Sequence, residues 1–324
     1  MRTAILLLAF NRPDTTRQVF EAIRKARPPR LYVAADGPRP DCPRDAGLCA
    51  EVRRIATAVD WPCEIQTLLQ TRNLGCRFGP ETGLDWFFDR EVEGIILEDD
   101  CLPDQTFFRF CEELLERYRG EAKVMMISGH CCHYGDRHDS ASYRFSRNVH
   151  IWGWATWRRA WQQHQDRELR QWPALRHSPW LLRIGDGHRD FRNCWTAIFD
   201  QLRASEGPVT WDYQWRFSCW ACDTLTIVPS CNLVKNIGFG EDATHTKDDG
   251  GGGGGLPAEA IAFPLVHPTG RERDVAADRW EDIHVYHVRT RAYRAILRRI
   301  PGLRWAVSRL RRLQLGAVRS AEHR

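Results

Sequence analysis

Several signatures are missing from this chain of 324 residues, and each absence removes a class of function. No Gly-x-Gly-x-x-Gly follows the first apolar run and no Gly-x-x-x-x-Gly-Lys-Ser/Thr occurs, which disfavours dinucleotide oxidoreductases and P-loop NTPases. The opening run Ala4–Phe10 is far shorter than the roughly 20 residues needed to span a bilayer, and no small-residue cleavage site follows it. The twelve cysteines are therefore expected to be reduced, in the cytoplasm. Cys131-Cys132-His133 suggests metal, but adjacent cysteines have poor ligand spacing and no second pair matches them, so zinc is disfavoured. Acid is scarce at the C-terminus: Arg289–Arg324 holds eleven Arg and a single carboxylate side chain, Glu322. Without that tail the net charge of +5 disappears, so the body has no nucleic-acid-binding character.

What is present describes an ordinary globular protein, 43% hydrophobic and 27% charged, with fourteen Trp and fourteen Phe that mostly serve a core. Thr3–Phe10, Leu31–Ala35, Cys63–Leu69, Gly94–Leu97 and Val124–Ser128 read as strands, and three are apolar on consecutive residues, as when helices cover both sheet faces. Helices are expected after a cap at Asp14, after Pro80, and after Pro103-Asp104. Strand–helix alternation implies an α/β, Rossmann-like fold with a mostly parallel central sheet and helices on both faces. Ligands of such sheets bind at the carboxyl ends of the strands. There stand Asn11-Arg12-Pro13-Asp14, Asp36-Gly37, Thr71-Arg72-Asn73, Glu98-Asp99-Asp100 and Gly129-His130.

Glu98-Asp99-Asp100 carries the chemistry. Adjacent carboxylates repel, and a fold tolerates them when a cation or hydrogen-bond donors compensate. Oxygen ligands suit Mn²⁺ or Mg²⁺, and such an ion stabilises the negative charge of a departing diphosphate. A strand end leading into a helix capped by Asp104 is the competing structural reading. Asp212, beside Trp211, is the candidate general base, and a helix N-cap is its structural alternative.

These residues resemble a known family, the GT-A glycosyltransferases. The resemblance lies in Glu-Asp-Asp after an apolar strand, Leu-Ala-Phe-Asn-Arg at the end of the first strand and Val-Ala-Ala-Asp-Gly at the end of the next. The similarity is to the N-acetylglucosaminyltransferase I type and to bacterial family 2-like nucleotide-diphospho-sugar transferases. Trp152-Gly153-Trp154, Trp211-Asp212 and Asn236-Ile237-Gly238-Phe239-Gly240…Thr244-His245 continue the resemblance in order. It implies a GT-A domain over 1–246, with a nucleotide-sugar-binding half (1–130) and an aromatic-rich acceptor half (131–246). A Gly-rich loop (247–258) and a C-terminal extension with basic amphipathic helices (259–324) have no counterpart in it. Asp100 and Glu98 would hold Mn²⁺ or Mg²⁺. Arg12, Asp36, Asn73, Asp99 and His245 would contact the nucleotide-sugar. Asp212 would be the base of an inverting transfer, and Trp152, Trp154 and Trp211 would meet a glycan or glycolipid acceptor. For the basic helices, peripheral contact with the anionic inner face of a membrane and ordinary packing stand open. A sugar-phosphate nucleotidyltransferase and a non-catalytic carbohydrate-binding protein are the competing functions.

Overall fold

The computed structural model describes residues 1–132, 140–204, 210–238 and 255–292. In chain order the elements are β1 (Ile5–Ala9), α1 (Pro13–Ala26), β2 (Arg30–Ala35), α2 (Pro43–Ala56), β3 (Glu64–Leu69), α3 (Gly75–Phe88), β4 (Glu93–Glu98), β5 (Cys101–Pro103), α4 (Gln105–Arg117) and β6 (Val124–Ser128). There follow β7 (Tyr143–Ser146), β8 (Trp154–Trp157), α5 (Arg158–Trp161), α6 (Trp172–Arg176), α7 (Trp180–Ile184), α8 (Arg189–Ala204), α9 (Asp212–Ala221), β9 (Leu225–Pro229), β10 (Val234–Asn236) and α10 (Val275–His284).

Eight strands form one sheet in the order β3-β2-β1-β4-β8-β6-β9-β7. β3, β2, β1 and β4 run parallel, as do β6 and β9, while β8 and β7 pair antiparallel with their neighbours. Side chains alternate across the sheet. Ile5, Leu7, Leu31, Val33, Ile95 and Leu97 pack with α1, α2 and α4. Leu6, Leu8, Tyr32, Ala34 and Ile96 pack with α3, α5 and α9 on the opposite face. Both faces are thus covered, which is why β1, β2 and β4 are apolar on consecutive residues. Gly83 makes the α3 contact close: a Cβ there would meet the Leu8 and Ala34 side chains at 2.7 and 2.9 Å.

The expected α/β fold, with a mostly parallel sheet and helices on both faces, is the one observed, and all five expected strands form. The expected aromatic-rich segment contributes strands to the same sheet. β8 inserts between β4 and β6 through Trp154-Ala155-Thr156-Trp157. Other local expectations are corrected. Arg12 takes the N-cap position of α1, Pro13 opens the helix, and exposed Asp14 lies in its first turn, where a carboxylate meets the positive end of the helix dipole. α3 begins at Gly75 and contains Pro80. α2 has no counterpart among the expected helices. Asp104 caps α4 as expected, accepting from the Thr106 amide at 2.8 Å.

The chain divides into two compact units: Met1–Arg170 with Glu206–Val285, and Gln171–Ser205 with Tyr286–Arg324. This partition differs from the expected 1–246, 247–258 and 259–324. The second unit holds α6, α7 and α8, where Trp172 and Trp180 pack on Phe199 and Trp195 packs on Tyr286. No helix among the described residues is long and apolar enough to cross a membrane. The C-terminal amphipathic pattern, His245 and most of the Gly-rich run fall outside the described residues.

Candidate active site

β1 is followed by β2 and β3 on one side and paired with β4 on the other, so the winding reverses between β1 and β4. The carboxyl ends of these two strands bound the crevice that such a reversal opens. β1 delivers Phe10, Asn11 and Arg12 to it, and β4 delivers Glu98, Asp99 and Asp100.

Arg12 is the centre of the arrangement. Its Nη1 donates to Asp100 Oδ2 at 2.7 Å and its Nη2 donates to Asp99 Oδ1. The Phe10 amide donates to the other Asp99 oxygen at 2.9 Å. Burial works against the Arg12 charge, yet Asp99 and Asp100 hold it firmly ionised. One guanidinium does not balance the cluster. Burial, then Asp100, push the Glu98 carboxyl up to about 8, and Asp99 and Asp212 add to the effect. Burial likewise pushes Asp99 up to about 6, despite Arg12. Glu98 Oε1 is buried with no hydrogen-bond partner among the described residues. A buried carboxylate oxygen without a partner is costly, which is why burial favours the protonated form of Glu98 so strongly.

A two-stranded ribbon closes one side of the crevice. β10 pairs antiparallel with β5, Asn236 opposite Cys101, and the Ile237 amide donates to the Asp100 carbonyl at 2.8 Å. The chain then passes directly over the carboxylates at Gly238, where a Cβ would stand 2.1 Å from Asp100 Oδ2 and 2.7 Å from Arg12 Nη1. The family resemblance includes Gly238 but attaches no role to it.

Asp212 is the first residue of α9, with Trp211 in the N-cap position, and it accepts from the Thr210 hydroxyl. It is half-buried. Its charge acts on Glu98, and together with Glu98 and Asp36 it acts on Cys76, whose thiol is pushed up mainly by burial. The structure therefore brings Arg12, Glu98, Asp99, Asp100 and Asp212 into one electrostatic neighbourhood.

Asp36 and Asn73 are arranged differently. Asp36 accepts from the amides of Gly37, Leu74 and Gly75 and from Asn73 Nδ2, at 2.8, 2.8, 3.1 and 3.0 Å. Asn73 also donates to the Gly37 carbonyl at 3.0 Å. The pair joins the end of β2 to the start of α3. Burial still pushes the Asp36 carboxyl up, against the three amides and the charge of Arg53.

The expectation that Trp154 and Trp211 meet an acceptor is corrected. They are 0% and 3% exposed and stack on each other at 5.7 Å, in a core with Trp161 and Trp215. Burial in that core leaves these rings almost no surface for a ligand. Trp152, half-buried and edge-on to His130 at 4.6 Å, keeps accessible ring surface. Sequence reasoning also missed Asp45 of α2, which holds Asn11 Nδ2 at 2.8 Å and pairs with Arg39. No local signal marks it: Arg39 lies six residues upstream, but Asn11 comes from the end of β1.

No family model matches the chain, and no curated protein matches it. Among solved structures the chain is similar to apo UDP-glucose pyrophosphorylase, with a TM-score of 0.36 and 8% identity over 73% of this chain and 93% of that one. A TM-score of that size carries no argument about this chain.

Proposed function

We propose that the chain is a glycosyltransferase that moves a sugar from a nucleotide-diphospho-sugar, UDP-linked in the first instance, to a hydroxyl of a glycan or glycolipid. The observation that carries the proposal is the charge-deficient carboxylate cluster Glu98-Asp99-Asp100 at the β1/β4 reversal, with the partnerless Glu98 oxygen. A hard divalent cation, Mn²⁺ or Mg²⁺, fits that donor set, held by Asp100 and Glu98. When bound, it would supply positive charge to the departing diphosphate.

The chain's own residues do the rest. Arg12 uses two of its five N–H donors on Asp99 and Asp100, and the others are available to a phosphate oxygen or ribose. Asp99, held by the Phe10 amide and Arg12, orients that guanidinium and faces the ribose. Asp36 and Asn73 set the loop against which the nucleotide lies, and His245 belongs to the same donor site by resemblance. Asp212 removes the proton from the acceptor hydroxyl. The acceptor oxygen then bonds to the anomeric carbon as the bond from that carbon to the diphosphate breaks, inverting the configuration. Trp152 offers a stacking surface to the acceptor, and the eleven Arg between Arg289 and Arg324 suit attachment to an anionic membrane.

The test is product analysis with a panel of nucleotide-sugars and hydroxyl acceptors. Release of a nucleoside diphosphate supports transfer. Release of pyrophosphate from a nucleoside triphosphate and a sugar phosphate would establish a nucleotidyltransferase instead. Carbohydrate binding that survives Asp100→Asn without metal dependence or turnover would establish a binding protein.

A further inference from the structure

A second group of ligating side chains lies at the carboxyl end of β6. His130, Cys132 and His150 are all buried, and one ring nitrogen from each histidine and the Cys132 sulfur lie within 4.8 Å of one another. The Cys132 Sγ to His130 Nδ1 distance is 3.5 Å. Zinc–sulfur and zinc–nitrogen bonds of about 2.3 and 2.0–2.1 Å at a tetrahedral angle give an S···N edge of about 3.5 Å.

The surroundings are built to hold these rings. His150 Nε2 meets Glu281 Oε2 at 2.9 Å, the carboxylate–histidine pairing that fixes a ligating ring and its tautomer. Glu281 is itself held by Asn148 at 2.8 Å and Arg144 at 2.5 Å. His130 is edge-on to Trp152 and to His150, at 4.6 and 5.6 Å between ring centres. The backbone that carries the cysteine is fixed as well. Ser128 Oγ accepts from the His130 amide at 3.0 Å, and Asn232 accepts from the Cys131 amide at 3.2 Å.

We propose that His130, Cys132 and His150 form a structural binding site for a zinc-class metal ion, distinct from the carboxylate cluster. Nitrogen and sulfur donors select a borderline-soft ion, whereas Glu98 and Asp100 select a hard one. Binding would release the Cys132 proton, since a metal takes the thiolate. A bound ion would tie the end of β6 to the 148–150 segment and, through Glu281, to α10. It would also steady Trp152 by fixing His130. The pairing differs from Cys131-Cys132-His133: among the described residues Cys132 finds its partners across the sheet end, and His133 lies outside them.

Cobalt is the probe. Titrating Co²⁺ into the metal-free full-length chain should produce thiolate-to-cobalt charge-transfer absorption that corresponds to one ion per molecule at this site and that Zn²⁺ abolishes. Cys132→Ser should remove the absorption, while Cys42→Ser should leave it intact. X-ray absorption of the zinc-loaded native chain provides a test that needs no variant, with a first shell of one sulfur and at least two nitrogens expected. No charge transfer in the folded native chain, absorption that survives Cys132→Ser, or a zinc shell without sulfur would each overturn the site and leave a thiol–imidazole hydrogen bond. These readouts are independent of sugar transfer.

Discussion

Replacing Arg12 with methionine removes the one guanidinium that bridges Asp99 and Asp100 while keeping much of the apolar stem. Removing one partner of a buried ion pair costs about 3–5 kcal/mol, because it strands the other charge. The Arg12 side chain is 27% exposed and water screens part of the interaction, so the lower end, about 3 kcal/mol, is expected. At about 2–4 °C per kcal/mol for a domain of this size, Tm falls by about 6–12 °C. The loss should be smaller at about pH 5 than at about pH 8. With Asp99 pushed up to about 6 in the folded protein, acid neutralises the carboxylate that Arg12 compensates, and rising pH restores the stranded charge. Mn²⁺ at about a hundred times its Kd should return about 2.7 kcal/mol, because the cation takes over the compensation. Tryptophan fluorescence during urea unfolding reads all three effects. A loss under about 1 kcal/mol that is flat with pH and indifferent to Mn²⁺ refutes the charge-deficit account.

Gly238→Ala should cost about 1–3 kcal/mol by chemical denaturation, since its Cβ must displace Asp100 or Arg12, and donor turnover should fall with it. Trp154→Ala should destabilise by about 3–5 kcal/mol as a core truncation. Trp152→Ala should instead raise the acceptor KM with little change in stability, and a reversed pattern between the two would reinstate Trp154 as a ligand contact. Asp212→Asn should leave donor affinity by calorimetry unchanged while lowering kcat by about 10²–10⁴-fold. Near-normal transfer would remove Asp212 from the role of base.

The strands are legible in the sequence wherever both sheet faces are covered, because consecutive apolar residues in β1, β2 and β4 need no knowledge of their neighbours. α2 is not legible: Gly47 and a weak stripe of Cys49, Val52, Ile55 and Ala56 give little helical periodicity. The start of α3 is misplaced because Pro80, a residue type that usually opens a helix, sits inside it. At the site, the carboxylate triplet and Arg12 are both visible as strand-end residues. Their pairing is not, since it joins positions about ninety residues apart. The tryptophans show the same limit. A stacking platform and a core filler have the same sequence pattern, and only the paired burial of Trp154 and Trp211 separates them. His150 and Glu281 lie far from Cys132 in sequence, so spacing rules written for local motifs pass over that cluster.

The central claim is that the carboxylate cluster at the β1/β4 reversal receives a metal together with a nucleotide-sugar. Titration calorimetry of nucleotide-sugars into the native chain, with and without Mn²⁺, and into Asp100→Asn tests it most directly. The account predicts that one donor binds to the native chain, that Mn²⁺ strengthens this binding, and that Asp100→Asn abolishes the Mn²⁺ dependence. Donor binding that is equally strong without Mn²⁺ and in Asp100→Asn would contradict it.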